Sequence, residues 1–166
     1  MTLTQAELGL IINFGGARLQ VERLPNFLTQ RNQIRRLIAA PSGILYPELT
    51  NQLIDALSEV YYTLGSGFLP QVYRRAVRRE FMLRTLNCRY IKELPLRFAG
   101  QEIRPRPVRL FAVDQRVLLA TVAVKAITPV HIHALRCALQ ATGCRLGMIA
   151  NFYPTELELH FERTVR

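Results

Sequence analysis

Lysine is almost missing from this chain: of its 22 basic residues, all but Lys92 and Lys125 are arginine. Acidic residues are scarce as well, 12 against those 22, which leaves a formal charge of +10. The imbalance points toward polyanions or acidic surfaces as partners, because a positive field raises encounter rates with nucleic acid. The guanidinium fork also grips phosphate through two parallel bonds, which an ammonium cannot do. A codon bias toward arginine would give the same composition with no ligand behind it, so both readings stand. Cysteine is limited to Cys88, Cys137 and Cys144, an odd number without a CxxC spacing, which argues against a disulfide framework. They read as buried or idle thiols in a reducing cytoplasm. No glycine-rich phosphate loop followed by Lys-Ser/Thr occurs. The N-terminus carries Glu7 and no basic, apolar, small-residue leader pattern. The apolar run from Val117 to Val124 is far too short to span a bilayer. The expectation is a soluble cytoplasmic protein without a membrane partner.

What is present is a well-distributed apolar half, 49% of 166 residues, enough for one domain with a real core. The N-terminus carries a partial repeat: Leu8-Gly9-Leu10-Ile11-Ile12-Asn13-Phe14 lies over Leu146-Gly147-Met148-Ile149-Ala150-Asn151-Phe152. At the same offset Leu19-Gln20-Val21 lies over Leu157-Glu158-Leu159. Each copy reads as a strand, a turn at Gly15-Gly16 or Tyr153-Pro154, and a second strand. This predicts a duplicated hairpin over residues 1–24, as a tandem-gene relic or as a piece docked on a sheet edge. Docking in its own chain and docking in a neighbour's, which would give a homodimer, are both open. Residues 25–46 read as a connector with a short basic helix over Asn26–Ala39, and residues 47–166 as the main domain. Within it the leucine spacing predicts a helix over 47–64, ended by Gly65-Ser66-Gly67, and a second over 68–86. Strands follow over 89–98, 103–113 and 116–127, then a helix over 129–141 ending at Gly143, and a closing hairpin over 146–165. The order predicts an α/β fold, a mixed central sheet flanked by helices.

The segment Leu49–Val77 contains Gly67-Phe68-Leu69-Pro70-Gln71-Val72-Tyr73. It resembles the opening of the GxxExxY family, small proteins of the PD-(D/E)XK nuclease superfamily, with Pro70 at the glutamate position. The resemblance covers about Leu49 to Val165 and implies a PD-(D/E)XK nuclease-like core with an extra N-terminal β-hairpin. Such a site needs an aspartate on one strand and a glutamate two residues before a lysine on the next. The carboxylates hold magnesium, which activates water and steadies the leaving oxygen of a phosphodiester. The pattern resembling DLLV is Arg109-Leu110-Phe111-Ala112-Val113, and the one resembling VELKAV is Val122-Ala123-Val124-Lys125-Ala126-Ile127. Lys125 keeps the motif lysine, while Arg109 and Ala123 stand at the acidic positions. The family's HxxQLxxYL helix corresponds to His131–Leu139, with only His131 and the leucines kept.

The resemblance therefore implies a nuclease-like protein with a degenerate site, no metal and no cofactor, magnesium entering only if residual nuclease activity exists. Asp114, Glu80 and Glu102 are the acids that could serve as migrated ligands of a live, magnesium-dependent nuclease. His131, His133 and Cys137 lack a fourth zinc ligand, and His131 reads more simply as a helix-start histidine. Arg74, Arg75, Arg78 and Arg79 follow the motif on the second helix, opposite its apolar face. They are either a solvated face or a phosphate-contacting stripe. Arg109 in the old metal position could hold a phosphate without cutting it, or pair with a leftover carboxylate. The nucleic-acid-binding candidates are Arg74, Arg75, Arg78, Arg79, Arg109 and Lys125. The competing expectation is a scaffold or decaying relic with no nucleic-acid role.

Overall fold

The computed structural model describes residues 10–14, 17–21 and 44–164. The expected helix over Asn26–Ala39 and the turn at Gly15-Gly16 lie outside the described residues. Among the described residues seven strands form one mixed sheet: β1 (Leu10–Phe14), β2 (Ala17–Val21), β3 (Cys88–Phe98), β4 (Gln101–Val113), β5 (Val117–Val122), β6 (Leu146–Asn151) and β7 (Leu157–Arg163). Their order across the sheet is β2-β1-β7-β6-β5-β4-β3. Helices α1 (Pro47–Leu64) and α2 (Pro70–Leu83) precede β3, and α3 (Pro129–Thr142) joins β5 to β6. This is the α/β architecture expected from the element order. Among the described residues no helix is long and apolar enough to cross a membrane.

Each helix boundary has a local cause. Pro47, Pro70 and Pro129 all sit in the first turn, where the missing N–H costs nothing. The second helix starts at Pro70 rather than Phe68 for that reason. It stops at Leu83 because Thr85 takes a positive φ of 54°, and the Leu86 N–H folds back to the Phe81 carbonyl. Gly143 closes α3 with φ 74° in the left-handed region.

Two cores flank the sheet. On one face α1 and α2 bury Leu53, Ile54, Leu57, Tyr73, Val77 and Phe81 against Phe111, Leu119, Met148 and Phe161. On the other, α3 packs Leu135, Ala138 and Leu139 against Ile91, Leu110, Leu118 and Ile149. Fully burying each Leu, Ile, Val, Met or Phe among them stabilises by about 1.5–3 kcal/mol. Helix α3 lies so close to β6 that a Cβ on Gly147 would stand 2.9 Å from Leu135 and Leu139. Arg136 of α3 also reaches Glu162 of β7, at 2.9 and 3.3 Å, and His160 meets the same carboxylate at 2.8 Å.

The N-terminal hairpin docks on its own chain. β1 runs parallel to β7, Leu10 opposite Leu157 and Phe14 opposite Phe161, as β6 runs parallel to β5. Leu10 and Ile12 join the α1–α2 core, and the Asn13 amide donates to Glu158 at 3.2 Å. The two similar segments differ in register. Asn13 faces Arg18, whereas Asn151 faces Glu158 across a longer turn.

Inside the sheet, between β6 and β4, the third predicted strand is shorter than its apolar pattern suggested. β5 ends at Val122, not Ile127. The next segment is held by a side chain instead of a ladder: the buried Asn151 amide accepts from Val124 N–H at 3.0 Å and donates to the Val124 carbonyl at 2.9 Å. β4 pairs with β5 only from Leu110 to Val113. Its earlier half pairs with β3 alone, through two bulges that place an extra β4 residue opposite Ile91–Glu93 and Leu94–Leu96.

Candidate functional site

Helix α2 buries Tyr73, Val77 and Phe81, one residue per turn, against the sheet. Helical geometry then sets Gln71, Arg74, Arg75 and Arg78, spaced i, i+3, i+4, i+7, along one side of that contact. They overhang β3 and β4, where Tyr90, Lys92, Arg109 and Phe111 point to the same face. Together these eight residues line an open cleft of about 530 Å³. Phe111 forms the buried floor, with the Tyr90 ring 5.1 Å from it at a tilt. The bulge between Ile91 and Glu93 sets two β4 residues, Val108 and Arg109, opposite Lys92.

The cleft is lined by four arginines, one lysine and no carboxylate. None of these five cations forms a salt bridge among the described residues, whereas Arg84 pairs with Glu80, and Glu162 with Arg136 and His160. Like charges on one helical stripe repel by a few tenths of a kcal/mol per i,i+4 pair. A bound anion relieves that repulsion.

Of the residues expected from the sequence, the fold brings Arg74, Arg75, Arg78 and Arg109 together. Arg79 is exposed on α2 but outside the cleft lining, and Lys125 is exposed beyond the end of β5. Ala123 also lies past β5 and packs against the α1–α2 core. Lys92 and Tyr90 are additions that sequence reasoning missed, although the alternation of β3 places both on one face. The other acids do not gather. Asp114 lines a separate hollow with Glu48 and Arg116, Glu80 is held by Arg84 at 2.7 Å, and Glu102 is exposed on β4. His131 is occupied as a helix cap: its Nδ1 accepts from the Thr128 N–H at 3.1 Å. His133 meets Cys137 one turn on, at 3.6 Å. Among the described residues no three His, Cys, Asp or Glu side chains are grouped to hold a metal.

Burial pushes the Cys88 thiol up to about 11, with the Arg78 charge pulling the other way. A thiol of that kind is nearly all protonated at neutral pH and is a poor nucleophile. Its alkylation by iodoacetamide should keep climbing about tenfold per pH unit past pH 9, where an ordinary thiol of pKa about 8.5 has levelled off. Mass spectrometry of the Cys88 peptide across pH 7–10 checks this. A plateau below pH 9 would contradict the assigned burial. The sign for stability follows: whatever the neutral thiol contributes is intact below pH 9.0 and lost as pH rises toward about 11.

A family model described as the PD-(D/E)XK nuclease superfamily matches residues 47–164. The chain belongs to the PD-(D/E)XK nuclease superfamily. The match spans α1 through β7, so the nuclease-like domain contains the whole cleft. No curated protein and no solved structure matches the chain. The superfamily implies a divalent metal held by carboxylates. The donor set of this cleft does not fit one: a hard cation takes oxygen ligands, and here only the Gln71 amide and the Tyr90 phenol offer oxygen among five positive charges.

Proposed function

We propose that this chain is a catalytically degenerate superfamily member, of the GxxExxY kind, that holds nucleic acid by its phosphate backbone and does not cut it. The supporting observation is the convergence of Arg74, Arg75, Arg78, Lys92 and Arg109 in a cleft without a carboxylate. In a metal-dependent nuclease the cation neutralises phosphate and activates water. Guanidinium groups supply the first service and not the second, because they bind phosphate bidentately yet remain protonated. Pro70 supports the same reading. It starts α2 next to Gln71 at the cleft's margin, where the motif glutamate would stand, and carries no polar group. Arg79 and Lys125 belong to the periphery of this interface, as long-range contributors to the field.

The test is binding of labelled duplex DNA in EDTA across a salt series. Log affinity should fall linearly with log salt, with a slope near −4.5 if all five cations meet phosphate, about −0.9 each. No cleavage should follow when magnesium is added. Absence of binding at low salt would sink the proposal and leave a scaffold or interaction protein as the better account.

A further inference from the structure

Beyond the end of the sheet β3 and β4 run on as a two-stranded ribbon. Residues 95–107 are exposed without a break, since β5 covers β4 only at Leu110–Val113. Toward the tip lie Leu96, Ile103 and Phe98, at 37%, 49% and 74% exposure, with Leu96 directly opposite Ile103. Around them stand Arg97, Arg104 and Arg106, with Glu102 as the one carboxylate in the ribbon. Isolated two-stranded hairpins are marginal in water, and clustered apolar side chains on one mark an interaction site.

The ribbon's edges argue against another strand as the partner. Pro95 on β3 and Pro105 and Pro107 on β4 carry no N–H, and the two bulges twist the ladder. Prolines and bulges of this kind blunt a sheet edge. Recognition is left to side chains on a narrow, basic, apolar-tipped ribbon. A two-stranded ribbon fits the major groove of B-DNA, about 12 Å wide and 8.5 Å deep. The major groove of A-form RNA is too deep and narrow for side chains to read. The ribbon is also continuous with the cleft, because Lys92 and Arg109 stand at its base. From Lys92 to Phe98 the extended chain covers about 20 Å, enough to reach from a bound phosphate strand into the adjacent groove.

We infer that the protein grips duplex DNA with two elements, phosphate in the cleft and the β3–β4 ribbon in the neighbouring major groove. Arg97, Arg104 and Arg106 flank the groove, and Leu96 and Phe98 meet its apolar base edges, the thymine methyls. This rests on the phosphate-binding reading of the cleft and adds to it a choice of duplex DNA over duplex RNA.

Anisotropy with DNA and RNA duplexes of one sequence, in EDTA near 0.1 M salt, tests it. The wild-type chain should prefer DNA by about tenfold or more, the worth of one good base-edge contact. Two variants probe the ribbon, Leu96→Ser with Phe98→Ser, and Arg97, Arg104 and Arg106 all changed to Gln. These residues are exposed, so circular dichroism should show both variants folded. Each should bring DNA affinity down toward the RNA value while RNA affinity changes little. Equal wild-type affinity for the two duplexes, or a DNA preference that survives both variants, overturns the ribbon and leaves the cleft standing. Binding of neither duplex overturns both. A wild-type dimer that Phe98→Ser converts to monomer in sedimentation makes the ribbon a protein interface and likewise overturns the inference.

Discussion

Changing Arg74, Arg75 and Arg78 together to glutamine should weaken duplex DNA binding about 500-fold near 0.1 M salt and hardly at all near 1 M. The figure comes from counterion release. Each phosphate contact contributes about 0.9 to the salt slope, so three lower it by about 2.7 and multiply affinity by about 10^2.7 per decade of salt. Glutamine keeps much of the apolar stem and a hydrogen-bonding end, so the loss reports charge rather than packing. The three side chains share the i, i+1, i+4 positions of one α2 stripe over the cleft, none of them fully buried. Folding should survive. Arg79→Gln is the matched control, since it removes a charge from the same helix outside the cleft lining. It should move the slope by less than one. If Arg79→Gln alone cost as much as the triple change, the cleft would not be the binding surface.

The sequence carried much of this site because α2 follows simple rules. An apolar residue at every fourth position from Tyr73 sets the buried face, and the arginines beside it must then stand clear of the core. The limits of α1 and α3 were legible for the same reason, each opened by a proline and closed by a glycine. Alternation sets Lys92 on the face of Tyr90, but its place beside Arg109 was not legible. Its approach to Arg109 depends on a bulge that sets an extra β4 residue against it, and a bulge of that kind has no fixed sequence signature. The overextension of β5 has a comparable cause. Ala123-Val124 continues the apolar pattern, but Asn151, 27 residues away, takes both backbone groups of Val124. The docking of β1 on β7 was open in the sequence because parallel pairing across almost the whole chain leaves no local turn signal.

Tyr73 owes its place to packing rather than to chemistry, and its removal should cost the most stability. The side chain is fully buried, its ring stacked on Phe152 at 4.5 Å and 13° between planes. Its hydroxyl donates to the Gly65 carbonyl at 2.6 Å and accepts from the Phe68 N–H at 3.3 Å. One side chain therefore ties the loop after α1 to the start of α2 and to the turn after β6. Tyr73→Ala should destabilise by about 4 kcal/mol, the usual range for emptying an aromatic site. At about 2–4 °C per kcal/mol for a chain of this size, the melting temperature should fall by about 8–16 °C. Tyr73→Phe keeps the ring and loses only the hydroxyl bonds, so about 1 kcal/mol should go. Urea denaturation of the three proteins separates the two terms. A loss below 1 kcal/mol for Tyr73→Ala would mean that the α1–α2 junction is held elsewhere. With the expected result, Tyr73 stands in this chain for a packing reason that holds whether or not Pro70 once was a glutamate.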